Sequence, residues 1–170
     1  NQVNENWELL ILSFPQLLAD YEYQELINGS EKIKIFSDVQ NSLLFLLENS
    51  IGEYFLCCNP GDTFESFLID QFYKSINFYP DSEIIYSDND ICSVKPSKIY
   101  PFFKPDVYSP ELHLSINYLS RSFIKKKNAA TKIYSINPKF NLLNQEWELL
   151  LLLKSENVID RHIPLVLWHQ

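Results

Sequence analysis

The stretch Glu83-Ile84-Ile85-Tyr86-Ser87-Asp88-Asn89-Asp90 passes from an apolar run straight into acidic residues. Its first five residues read as a strand, and its acidic end falls where open α/β sheets place ligands, beyond the carboxyl ends of strands. Working outward, the same alternation of element types recurs. Upstream, 63–76 carries Phe64, Phe67, Leu68, Phe72 and Ile76 at helical spacing. Before it, 53–58 reads as a strand closed by Asn59-Pro60-Gly61-Asp62, 39–49 as an amphipathic helix, 32–36 as an alternating strand and 7–12 as a buried one. A helical or irregular stretch fills 16–27. Strands alternating with helices predict a mostly parallel sheet with helices on both faces.

Downstream, 100–105 is extended and bounded by prolines. Ser109-Pro110-Glu111 opens a helix, with Ser109 as cap and Pro110 in the first turn. Residues 121–125 read as a strand, 145–155 as a helix behind an Asn144 cap, and 158–168 as a final extended segment. With no linker, repeat or low-complexity stretch, the 170 residues are one domain, large enough for a full core.

Composition excludes several functions. Only three glycines are present, so Gly-rich phosphate loops of the Walker or dinucleotide type have no place here. A net charge of -8 argues against nucleic acid, which needs a cationic face. Lys125-Lys126-Lys127 is too short a basic run to reverse that and reads as a solvated strand end, with contact to anionic lipid or a diphosphate as the alternative. Cys57, Cys58 and Cys92 form no disulfide framework and suit a reducing compartment. Adjacent Cys57 and Cys58 point to opposite faces of a strand and do not share a metal. Neither a signal peptide nor an apolar run of membrane-spanning length is present. The initial Asn reads as the start of an excised domain or processed product.

The polar residues just after the strands are Ser13, Asp38, Asn59 to Asp62 and Ser87 to Asp90. Ordered motifs run through and beyond them: Tyr86-Ser87-Asp88-Asn89-Asp90, Phe103-Lys104-Pro105-Asp106, Ser109-Pro110-Glu111-Leu112, Asn117-Tyr118, Gln145-Glu146-Trp147-Glu148-Leu149, and His162-Ile163-Pro164-Leu165-Val166-Leu167-Trp168-His169. In order and spacing, over nearly the whole chain, this series resembles the family 2 glycosyltransferases of the bacterial cell-surface polysaccharide type. The resemblance implies a GT-A-like nucleotide-diphospho-sugar transferase fold, here without its first strand.

It further implies an inverting, hexosyltransferase-type transfer from a nucleotide-sugar donor to a glycan or lipid-linked acceptor. The implied setting is the cytoplasmic side, peripheral to the inner membrane, with other domains of a longer chain as neighbours. A divalent metal, Mg²⁺ or Mn²⁺, would bridge the donor diphosphate. A carboxylate base would take the acceptor proton.

Carried onto this sequence residue by residue, the resemblance makes Glu146 the base, replacing the family's Asp. Asn59, Asp62, Asp88 and Asp90 become substrate-binding residues, and Asp62 and His169 metal ligands. Several family positions are altered. The acidic pair after the second strand is Ser13-Phe14, and the metal-binding DxD slot reads Asn59, Gly61 and Asp62, with charge only at Asp62. The Gly-Gly-Phe turn is Tyr134-Ser135-Ile136. These changes also fit a GT-A-like binding or structural module that no longer turns over.

Each candidate has a plainer reading. Asp62 and Glu65 form a capping-box pattern at the start of a helix, and Asn59-Pro60-Gly61 a tight turn. Asp88 and Asp90 suit a polar turn, and Glu146 a first-turn helix carboxylate. His169 suits an exposed chain end. His113 and His162 read as structural, and Trp7, Trp147 and Trp168 as core.

Overall fold

A computed structural model describes residues 2–13, 25, 30–37, 42–92, 99–125, 142–155 and 157–169. Strands β1 (Leu9–Ser13) and β2 (Ile33–Ser37) pair in parallel as a small separate sheet, in register from Leu9 opposite Ile33 to Ser13 opposite Ser37. The larger sheet holds β3 (Tyr54–Phe55), β4 (Thr63–Phe64), β5 (Ile84–Cys92), β6 (Ile99–Phe102), β7 (Phe123–Lys125) and β8 (Asp160–His169). Its order is β3-β7-β5-β8-β4, with β6 also on β5. The helices are α1 (Ser42–Asn49), α2 (Leu68–Phe78), α3 (Pro110–Ser115) and α4 (Leu142–Ser155).

The protein is therefore α/β, but the larger sheet is mixed, which corrects the expectation of a mostly parallel one. Only β5 and β8 pair in parallel there, while β3–β7, β5–β7, β5–β6 and β4–β8 are antiparallel. Antiparallel neighbours need no long crossover, so the short elements of the second half fold back directly onto β5.

Helices on both faces are borne out. Side chains alternate along a strand. Ile84 and Tyr86 of β5 and Ile124 of β7 therefore face Leu47 of α1 and Leu149, Leu150 and Leu153 of α4. Ile85 and Phe123 face the opposite way, onto Leu68 and Phe72 of α2. Phe72 stacks on Phe123 with centroids 3.9 Å apart. Among the described residues no helix is long and apolar enough to cross a membrane.

Several element boundaries differ from the sequence reading, among them the strand expected at 53–58, which is reduced to Tyr54–Phe55. Residues 63–64 are extended rather than helical, because Thr63 and Phe64 pair with His169 and Trp168, and the helix begins only at Leu68. Strand β5 continues through Asp88 and Asp90 to Cys92, since β6 and β8 take up its backbone groups there. Helix α4 begins at Leu142, ahead of Asn144. The Ser109 cap is as expected, its hydroxyl accepting from Leu112 N at 3.3 Å with Pro110 in the first turn. Asp38, the 16–27 stretch apart from residue 25, Lys126, Lys127 and Tyr134-Ser135-Ile136 lie outside the described residues.

Candidate functional site

Strand directions fix which residues meet. Strand β3 is antiparallel to β7, and β7 to β5, so β3, β5 and β8 all run the same way. The loop 56–62, the Asp88–Asp90 segment and His169 therefore share one edge of the sheet, the carboxyl ends of these three strands. Strands β6 and β7 run opposite: Arg121, two residues ahead of β7, lies at this edge, and because β6 pairs only with Asn89–Cys92 of β5, Lys104, two residues past β6, comes level with Asp88. Strand β8 bulges as it passes: Ser87 faces Ile163, but Asp88 faces Val166 and Asn89 faces Trp168. Pro164 sits in that bulge, where its missing N–H costs no ladder bond.

Asn59-Pro60-Gly61-Asp62 closes as a turn. Asp62 N donates to Asn59 O at 3.1 Å, with Gly61 at φ 97 in the third position. Proline second and a left-handed glycine third is the type II arrangement. The same turn disposes of the capping reading. Asp62 Oδ2 accepts from Asn59 N at 2.8 Å and from Arg121 Nε at 3.0 Å, and Phe67, not Asp62, stands at the helix start without a side-chain cap.

Arg121 is the residue around which the candidates assemble. Its Nε reaches Asp62, its Nη1 lies 3.5 Å from Glu146 Oε2, and its backbone N donates to Glu146 Oε1 at 3.1 Å. The guanidinium carbon lies 5.7 Å from the Trp168 ring centroid. Arg121 holds φ 64, a left-handed conformation costing a non-glycine residue roughly 1–2 kcal/mol. The side chains of Arg121 and Asp62 are 8% exposed and that of Glu146 1%. Burial pushes the Glu146 carboxyl up to about 7, against the opposing pull of the Arg121 charge and its N–H.

Lys104 forms the second half of the cluster. Its backbone N donates to Asp88 Oδ1 at 2.8 Å and its Nζ to Ser120 O at 3.2 Å. Burial brings its ammonium down to about 8, opposed by the Asp88 and Glu146 charges. Asp88 Oδ1 also lies 2.8 Å from His162 Nε2, whose Nδ1 lies 2.5 Å from Asp106 Oδ1, and His162 stacks on Tyr86. Asp90 Oδ1 lies 2.8 Å from His169 Nδ1, with Glu65 3.4 Å from the other ring nitrogen. Beside the cluster, Asn89, Ile91, Phe102, Ile116, Asn117, Tyr118 and Ser120 line an open cavity of about 210 Å³.

Of the sequence candidates, Asp62 and Glu146 are joined through Arg121. Asp88 joins them through Lys104, whose ammonium responds to Glu146 as well. Asp90 and His169 pair with each other in a separate contact, Asn59 contributes its turn backbone, and Asp88 and Asp90 are buried strand residues rather than turn residues. Sequence reasoning missed Arg121 altogether and read His162 only as structural. Burial of Arg121 in a chain of net charge -8 leaves no periodic trace. Cys57 also borders the cluster, where burial and the Glu146 charge push its thiol well above its ordinary value, so it stays protonated at neutral pH.

The residues present do not fit a divalent metal. Among the described residues no group of three or more His, Cys, Asp and Glu side chains is placed to hold one. The Asp62 oxygen that would ligate it already accepts from a guanidinium at 3.0 Å. A metal about 2.1 Å from that oxygen would lie within roughly 5 Å of Arg121 Nε. Repulsion there would be roughly 7 kcal/mol at an effective dielectric of about 20.

No family model and no curated protein matches this chain.

Proposed function

We propose that the chain is a GT-A-like glycosyltransferase domain that transfers a sugar from a nucleotide-sugar donor to a glycan or lipid-linked acceptor in surface-polysaccharide synthesis. The observation that carries this reading is the meeting of Asp62 and Glu146 on Arg121 at the carboxyl edge of the sheet. That edge is where α/β folds bind ligands, and the two carboxylates come from the two motif positions with the most direct chemistry.

In the reaction, an acceptor hydroxyl oxygen bonds to the anomeric carbon as the bond from that carbon to the donor diphosphate breaks. The diphosphate leaves with the electron pair, and the hydroxyl proton passes to Glu146. A carboxyl held near about 7 can accept and return a proton at neutral pH, which suits a general base. Asp88, fixed by Lys104 N and His162, and Asp90, fixed by His169, border the sugar side. The neighbouring cavity is lined by Phe102 and Tyr118 together with Asn89 and Asn117, a mixture of aromatic and amide residues suited to a glycan. The reading carries with it a cytoplasmic place at the membrane face and further domains on the same chain.

The test is transfer from UDP-glucose and GDP-mannose by the full chain and by Glu146→Gln. The variant should lose transfer while keeping donor affinity; unchanged turnover would remove Glu146 from the role of base. One observation favours a second reading, a binding module that does not turn over: Glu146 is 1% exposed and already engaged by Arg121. Donor binding without transfer in the unaltered chain would select it.

A further inference from the structure

The mismatch between this cluster and a divalent metal points to what does the metal's work. We propose that the guanidinium of Arg121, clamped between Asp62 and Glu146, is the cation that receives the donor diphosphate, so that this chain binds nucleotide sugars without a metal ion. The inference rests on the nucleotide-sugar reading above and goes beyond it, because that reading alone leaves the diphosphate's counter-charge unassigned.

Three features support the assignment. The first is substitution of charge. Where a metal slot would gather carboxylates, Asn59 and Gly61 bring none, and the single remaining carboxylate, Asp62, holds a guanidinium at 3.0 Å. A cation is present at this slot, but it is covalently part of the chain.

The second is orientation. Arg121 is fixed by its left-handed backbone, by the N–H to Glu146, by Asp62 at Nε and by the Trp168 ring over which its guanidinium carbon lies. A guanidinium offers five N–H donors in a planar fork that matches phosphate oxygens. Its Nη2 makes no hydrogen bond among the described residues, and its Nη1 contact with Glu146, at 3.5 Å, is the longest of the set. Those are the two groups a phosphate oxygen would take. Exchanging the Nη1 contact for phosphate would also release Glu146 toward an acceptor.

The third is a second cation at the right place. Lys104 Nζ donates to the carbonyl of Ser120, the residue immediately before Arg121. The two basic groups are near enough for the Arg121 charge to depress the Lys104 ammonium. A diphosphate has two phosphates to satisfy, and a paired guanidinium and ammonium supply both charges.

Calorimetric titration of the full chain with UDP-glucose and GDP-mannose, once with EDTA and once with excess Mn²⁺, separates the possibilities. The proposal expects a donor to bind with affinities that agree within about twofold in the two buffers. It further expects Arg121→Lys, which keeps the charge but not the fork, to weaken binding about tenfold or more without rescue by Mn²⁺. Circular dichroism establishes that this variant is folded, and if it is not, the two buffers decide on the unaltered chain. Binding that appears only with Mn²⁺ overturns the inference and leaves the nucleotide-sugar reading intact. Metal-independent binding that Arg121→Lys leaves unchanged overturns the assignment to Arg121. Failure of both donors to bind in either buffer overturns the nucleotide-sugar reading and this inference with it.

Discussion

The Arg121 guanidinium stands 3.5 Å from a Glu146 carboxylate that is only 1% exposed, and it holds Asp62 at the same time. One cation thus ties the loop after β3, the start of β7 and helix α4 together. Taking it away strands two buried carboxylates, and breaking a buried pair from one side costs about 3–5 kcal/mol. Arg121→Met should lower the urea unfolding free energy by about that amount. A loss below about 1 kcal/mol would mean that water already screens the cluster.

The same burial gives stability an unusual dependence on pH. Glu146 is raised to about 7, so between its ordinary value near 4.5 and about 7 the folded state holds a proton that the unfolded state has lost. Stability therefore falls as pH rises through that window. Lys104 is lowered to about 8, so between about 8 and 10.5 the unfolded state holds the extra proton, and stability rises with pH. Together these predict a local minimum between pH about 7 and 8. Glu146→Gln should flatten the acid limb and Lys104→Met the alkaline one in urea titrations across pH. Limbs unchanged in both variants would contradict the assignment.

His162 links β8 to two carboxylates, buried Asp88 and largely exposed Asp106. In His162→Ala, Asp88 loses a partner at 2.8 Å, which should cost about 1–3 kcal/mol. The Lys104 amide, which donates to the same Asp88 oxygen, should exchange its hydrogen faster. An unaltered exchange rate at Lys104 would show that Asp88 is held in place without His162.

Gly61 tests the turn that aims Asp62. Its φ is 97, yet a Cβ built there would meet nothing within 4 Å, so the penalty for Gly61→Ala is backbone strain alone. The expected loss in thermal unfolding experiments is about 1–2 kcal/mol. A substantially larger loss would indicate that Asp62 and its Arg121 contact had moved with the turn.

The hydrophobic pattern made much of this legible. Ile84, Ile85 and Tyr86 announce a central strand, and their alternation divides the two cores. Ser109-Pro110 marks a helix start that the hydroxyl cap confirms. Thr63 and Phe64 misled because Asp62 to Glu65 satisfies a helical capping pattern, while pairing with His169 and Trp168 supplies the backbone bonds instead. The mixed sheet was hidden because strand direction is set by which neighbour each short strand finds, not by its own residues. Arg121 was hidden for a related reason. Its partners lie far away in the chain, at Asp62, Glu146 and Trp168, and no local spacing relates them.

The most direct test is an NMR titration that follows the Arg121 Nε–H resonance as UDP-glucose or GDP-mannose is added to the full chain. If the guanidinium receives the donor diphosphate as proposed, that resonance should shift in a saturable way. Its change should track the binding curve measured by calorimetry. A donor that saturates the chain while the Arg121 signal stays fixed, or one that never binds, would leave the cluster as a structural ion network and contradict the account.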